Sequence, residues 1–129
     1  DIVKEAKKAK NKQEVPVGAI IVREKKILSK GHNKVEKTNS ILSHAEIIAI
    51  QKACKKIKDW RLDDCELYVT LEPCEMCKEI IKRARIKKVY YGLKNKGYTL
   101  KKPTYIENKN SIQKKEIEKL LVSFFKIKR

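Results

Sequence analysis

Two short fragments of the 129-residue chain carry side chains that could hold a metal and do chemistry with it: His44-Ala45-Glu46 and Pro73-Cys74-Glu75-Met76-Cys77. Cysteines three positions apart present both sulfurs on one helical face, and Pro73 suits the start of that helix, where its missing N–H is not needed. The positive end of a helix dipole favours thiolates, the form in which sulfur binds zinc. Two thiolates and one imidazole make three ligands and leave a fourth tetrahedral position for water, as in a catalytic rather than a structural zinc site. Zinc lowers the pKa of such a water to about 7. Hydrolysing an amidine also requires proton transfers, and Glu46 is the natural shuttle. Positions 44 and 46 point about 200° apart on an ideal helix, so both reach one metal only beyond the helix end. One zinc per chain, held by His44, Cys74 and Cys77, is therefore expected off two helix N-termini, with Glu46 as the catalytic group.

Either fragment alone says little. His-x-Glu arises often by chance, and Cys-x-x-Cys also fits a redox pair or half of a structural zinc site. A structural site would need a fourth ligand, yet His32 is the only other histidine. Cys54 and Cys65 have no metal-like spacing and read as small core residues.

The elements that must position these fragments follow from periodicity. Ile2, Val3, Ala6 and Ala9 predict a short amphipathic helix ending near Lys12. Val15 to Val22 and Ile27 to Ser29, separated by the polar turn Arg23 to Lys26, predict a hairpin, with Pro16 making its beginning irregular. His44 to Lys56 is apolar on too many faces for a surface helix and is expected to be buried on two sides. Leu67 to Leu71, Glu75 to Ala84 and Ile86 to Tyr91 read as strand, helix and strand, closed by Gly92, which implies parallel pairing. Lys94 to Asn110 reads as loop, apart from a short strand around Tyr105 and Ile106. A last helix carries Ile117, Leu120, Leu121, Phe124 and Phe125, with Ser111 as its N-cap. The whole is expected to form one three-layer α/β domain over residues 1–129.

Lys and Arg number 33 against 16 Asp and Glu, a formal net charge of +17. That density of positive charge suits a polyanion, because neutralised phosphates release counterions. No apolar run approaches the roughly 18 residues of a membrane span, and Asp1 to Lys12 lack a signal peptide's apolar centre. A soluble, cytoplasmic protein without a membrane partner is expected.

Three donors and a non-ligating glutamate form the pattern of zinc nucleobase deaminases. Beyond it, the chain resembles the bacterial tRNA-specific adenosine deaminases of the TadA type. The matching stretches are Glu14-Val15-Pro16-Val17-Gly18-Ala19, Gly31-His32-Asn33, His44-Ala45-Glu46-Ile47, Arg61-Leu62, Leu67 through Cys74, Ala84-Arg85-Ile86, Tyr91-Gly92 and Phe124-Phe125. Several lie outside the zinc motif and separate this family from cytidine deaminases. The resemblance implies a cytidine deaminase-like α/β/α fold with a mixed central sheet of about five strands, assembled as a homodimer. It implies conversion of adenosine to inosine at the wobble position of a tRNA anticodon stem-loop. It also implies that Asn33 hydrogen-bonds the flipped base, that the Ala45 N–H lies beside it, and that Val17 lines the pocket.

Two stretches depart from the family. Ser40-Ile41-Leu42-Ser43 stands where Asp-Pro-Thr-Ala is common, and the segment after Gly92 is shorter and lacks an Asp near Lys94 to Gly97. The remaining tail is rich in Lys and Arg. Phe124 and Phe125, followed by Lys126, Lys128 and Arg129, could stack on an unpaired base and hold phosphates, or pack both rings inward. The zinc chemistry is equally compatible with a deaminase of free bases or nucleosides, guanine or cytosine, and the zinc site with a silent RNA-binding module. A small uncharged base needs no +17 surface, and a silent module has no use for Glu46.

Overall fold

The computed structural model describes residues 2–95, 105–107 and 110–128. It divides into two compact units, Asp1–Gly97 and Tyr98–Arg129. The first contains α1 (Ile2–Asn11), β1 (Gly18–Arg23), β2 (Lys26–His32), α2 (Val35–Thr38), α3 (Ala45–Ile57), β3 (Cys65–Leu71), α4 (Glu75–Arg83) and β4 (Lys88–Leu93). Its sheet has the order β2-β1-β3-β4. β1 pairs antiparallel with β2 and β3, and β3 pairs parallel with β4, as the intervening α4 requires. The sheet is mixed, as expected, with four strands among the described residues rather than about five.

Local chemistry explains the first boundaries. α1 ends in a Schellman motif: the Gln13 N–H donates to the Lys10 carbonyl and the Glu14 N–H to the Ala9 carbonyl, both at 3.0 Å, with Gln13 left-handed at φ 60°. A three-residue turn around Pro16, closed by the Val17 N–H on the Val15 carbonyl at 2.8 Å, delays β1 until Gly18. The hairpin then reverses through Glu24 and Lys25, both at positive φ, which matches the twist of the flanking strands.

Alternation along the strands separates the two faces. Gly18 and His32 pair in register on the face covered by α1, while Ala19 and Gly31 pair on the face covered by α3. There Ser29 Oγ donates to the Ala49 carbonyl at 2.7 Å. From β3, Leu67 and Val69 join Ala45, Ala49, Cys77 and Ile81 in one buried cluster, so α4 lies on the same side as α3. The layers are thus α1, the sheet, and α3 with α4. Cys65 is buried and Cys54 packs on this cluster, as expected of core residues. Burial, with Asp64 beside it, pushes the Cys65 thiol up to about 11.

The second unit is described by α5 (Ser111–Lys128). Its cap is Asn110 rather than Ser111, since Asn110 Oδ1 accepts from the Gln113 N–H at 3.1 Å. Residues 105–107 form no strand. Gly92 lies inside β4 instead of ending it. The side chains of Phe124, Phe125 and Lys128, together with Arg129, lie outside the described residues. Among those described, no helix is long and apolar enough to cross a membrane.

The contact of α3 with β2 leaves no room at Gly31. A Cβ there would lie 2.5 Å from the Ala45 carbonyl oxygen and 2.9 Å from the Ala49 nitrogen, both backbone atoms of α3 that cannot swing away. Gly31→Ala is expected to lower unfolding free energy by about 1–3 kcal/mol, measured by urea denaturation. Wild-type stability in this variant would show that α3 can lift from the sheet without loss.

Candidate active site

α3 and α4 begin beside each other, and the three candidate donors sit at those beginnings. His44 is the N-cap of α3 and Cys74 the N-cap of α4, both with extended backbone angles and neither using its side chain as a cap. Extended dihedrals direct these side chains away from the helix bodies. The His44 Nδ1 atom lies 3.7 Å from Cys74 Sγ and 3.3 Å from Cys77 Sγ. A tetrahedral zinc with ordinary Zn–S and Zn–N bond lengths separates such donors by about 3.6 Å. All three donor atoms lie within 4.8 Å of one another, and Glu46 is not among them. The donor set therefore fits zinc.

Electrostatics favours the same conclusion by an unexpected route. The helix end is expected to lower thiol pKa, but Cys77 is fully buried, and burial pushes its thiol far up, reinforced by Glu46 and Cys74. Desolvation is the largest influence on this thiol. A thiolate at this position requires a cation beside it.

Glu46 is 4% exposed, on the first turn of α3. Burial raises its carboxyl pKa, while its own backbone N–H, the nearby His44 and a hydrogen bond with Cys77 act in the opposite direction. The first-turn location lets Glu46 and His44 approach the same place despite their angular separation along a regular helix. A buried carboxyl against two metal donors is equipped to exchange protons with whatever binds between them.

Of the residues that the resemblance assigns to the base, the structure joins Asn33 and Val17 directly. The Asn33 N–H donates to the Val17 carbonyl at 3.1 Å, and the Lys34 N–H to the Ser43 carbonyl at 2.9 Å. The end of β2 is thus tied to the approach of β1 on one side and to the start of α3 on the other. Asn33 is buried, Val17 half-buried, and Ala45 fully buried at the first position of α3. A groove of about 530 Å³ along α4, bordered by Lys78, Lys82, Arg85 and Tyr91, contains none of these residues and is separate from the donors.

Sequence reasoning passed over two carboxylates that organise this end of the sheet. Glu72 accepts from the Asn95 N–H at 3.3 Å and pairs with Lys78 at 3.5 Å, bracing the turn before Cys74. Glu14 is buried, and both its oxygens accept backbone N–H groups of α2. The only sequence signal for either was its place inside a matched motif.

Because the Cys77 thiol stays protonated through neutral pH without a cation, metal binding must release its proton. Zinc affinity is therefore expected to rise with pH, by about tenfold or more per unit between pH 6 and 8. Competition with a chelating dye checks this. Elemental analysis should find one zinc per chain, lost in Cys77→Ser; a pH-independent affinity would overturn the thiolate assignment.

The family described as the cytidine and deoxycytidylate deaminase zinc-binding region matches residues 1–93. A tRNA-specific adenosine deaminase from Aquifex aeolicus is 50% identical over 96 residues, covering 74% of this chain and 64% of that protein. The chain thus spans just under two thirds of that relative's length. A solved structure from studies of A-to-I editing by tRNA:A34 deaminases superposes with a TM-score of 0.71 at 39% identity, covering 73% of this chain and 72% of the other. The X-ray structure of guanine deaminase from Bacillus subtilis gives 0.79 at 29% identity, covering 92% and 88%. The architecture is the cytidine deaminase-like fold. On the matched 93 residues, with His44, Cys74 and Cys77 drawn into one donor set, the chain belongs to the cytidine and deoxycytidylate deaminase zinc-binding family.

Proposed function

We propose that this protein hydrolytically deaminates adenosine to inosine in tRNA, at the wobble position of the anticodon stem-loop. The observation that carries this is the triangle of His44, Cys74 and Cys77 with the buried carboxyl of Glu46 beside it. Three donors hold one zinc per chain, and residues 1–129 act as one domain, in a cytoplasmic homodimer. The tRNA:A34 deaminase structure and the tRNA-specific adenosine deaminase relative support the substrate.

Zinc, when bound, acidifies a coordinated water so that a nucleophile is available at neutral pH. Glu46 accepts a proton as water adds to C6 of adenine and delivers it to ring nitrogen N1. It then carries the second proton to the departing amino group, which leaves as ammonia. Burial raises the carboxyl above the ordinary carboxylate range, the direction that favours such shuttling. Asn33 hydrogen-bonds the base, the Ala45 N–H lies against it, and Val17 forms the apolar wall.

Charge distinguishes an RNA substrate from a free base. Lys34, next to Asn33, is held below the ordinary lysine range by partial burial and by the charges of Lys52, Lys37 and Lys12. Clustered cations beside a base pocket suit flanking phosphates. A guanine deaminase is the second reading, favoured by the 92% coverage in the Bacillus subtilis comparison.

Incubating the protein with purified tRNA and mapping inosine by mass spectrometry tests the proposal. Glu46→Gln is expected to retain zinc and fold while losing about 10²–10⁴-fold or more in turnover. Near-normal turnover in that variant would defeat the mechanism. Ammonia release from guanine, with none from tRNA, would establish the second reading instead.

A further inference from the structure

A four-residue helix is unstable alone, because nucleation fixes several residues for a single hydrogen bond. α2 also has no fully buried side chain, Val35 being half-buried, so it adds little to the core. Its N-cap residue, Lys34, makes no side-chain cap bond and offers no acceptor. The open N–H groups are satisfied from elsewhere in the chain. The Glu36 N–H donates to Glu14 Oε1 at 2.9 Å and the Lys37 N–H to Glu14 Oε2 at 2.8 Å. These are the second and third helical positions, the ones an N-cap Asp or Ser serves in other helices.

Glu14 is itself rigidly placed. It is 6% exposed, and its own N–H closes the Schellman end of α1 on Ala9. Beyond α2, Asn39 turns the chain at φ 50°, and Thr38 Oγ1 contacts both the Lys34 carbonyl at 2.9 Å and Ser43 Oγ at 2.6 Å. The Lys34 N–H closes the loop on Ser43 at 2.9 Å. Asn33 immediately precedes this closed segment and His44 immediately follows it.

We propose that Glu14 is a positioning residue for the deamination: as the remote N-cap of α2 it orders residues 34–43 and so sets Asn33 relative to His44. This rests on the function proposed above. An ordered segment without buried side chains adds little to stability, so its order serves the site it connects. Asn33 and His44 act on opposite partners, the base and the metal, and small errors in their separation are costly: misplacement of reacting groups by about 1 Å can lose 10²-fold.

Hydrogen exchange by mass spectrometry and steady-state inosine formation on an anticodon stem-loop test this together. Glu14→Ala is expected to expose the amides of residues 35–38 to faster exchange while strand amides stay protected and zinc remains at one per chain. Its kcat/KM should fall by about 10- to 100-fold. Glu14→Gln, which keeps one acceptor oxygen, should fall between, and serves if the alanine variant does not fold. Adding Lys34→Ser, which supplies a local cap, should restore protection and part of the activity relative to Lys34→Ser alone. Unchanged exchange in Glu14→Ala, or faster exchange with unchanged kcat/KM, would overturn the proposal. A wild-type chain that forms no inosine would defeat the deaminase reading itself, and the exchange measurements would still decide whether Glu14 orders the segment.

Discussion

Two helices that begin at the same place, with their N-cap side chains turned toward each other, make the site possible. Neither N-cap side chain is engaged in capping its own helix, so both are available to a ligand. When His44 and Cys74 both occupy the N-cap position, an imidazole and a thiol meet at 3.7 Å. Cys77, on the first turn of α4, completes the set at 3.3 Å from the imidazole. The buried Cys77 thiol resists ionisation, so the donor set reaches its ligating form only together with a cation. Metal binding and the final electrostatic state of the site are one event.

Charge acts on two scales around that site. At short range, two thiolates would balance a divalent cation held between them, with the buried Glu46 beside them as the proposed proton carrier. At long range, the formal net charge of +17 suits a polyanion but carries no selection among sequences. Lys12, Lys37 and Lys52 connect the two, because their charges are felt at Lys34, adjacent to Asn33.

The scaffold divides its labour between close packing and hydrogen bonding. Where α3 meets β2, the backbones approach so closely that Gly31 admits no side chain, which anchors the start of α3 firmly to the sheet. The residues proposed to face the base are instead held by loop hydrogen bonds: Asn33 on Val17, Lys34 on Ser43, and α2 on Glu14. A site whose metal donors rest on packed helices, while its recognition segment hangs on a few hydrogen bonds, can vary that segment without loss of metal. The replacement of Asp-Pro-Thr-Ala by Ser40-Ile41-Leu42-Ser43 falls in this segment, and the donors are undisturbed by it.

Residue types and their spacing were enough to single out the three donors that the fold brings together, because helix-initial cysteines three apart and a His-x-Glu at another helix start leave few alternatives. Periodicity also located α1, α3, β3 and α4 closely, since each has an apolar pattern set by burial on one or two faces. What sequence could not reveal came from contacts between distant segments. α2 has no apolar periodicity and no local cap; its first N–H groups are capped by Glu14, 22 residues away from Glu36. Asn110 takes the cap at α5 in place of Ser111 because side-chain geometry, not residue preference, decides between two competent neighbours. The thiol of Cys77 was expected to be acidified by its helix, but burial depth reverses the sign, and depth is a property of the folded chain alone. Local interactions are encoded within a few residues and can be read there; desolvation and remote capping come into being only when the elements close on one another.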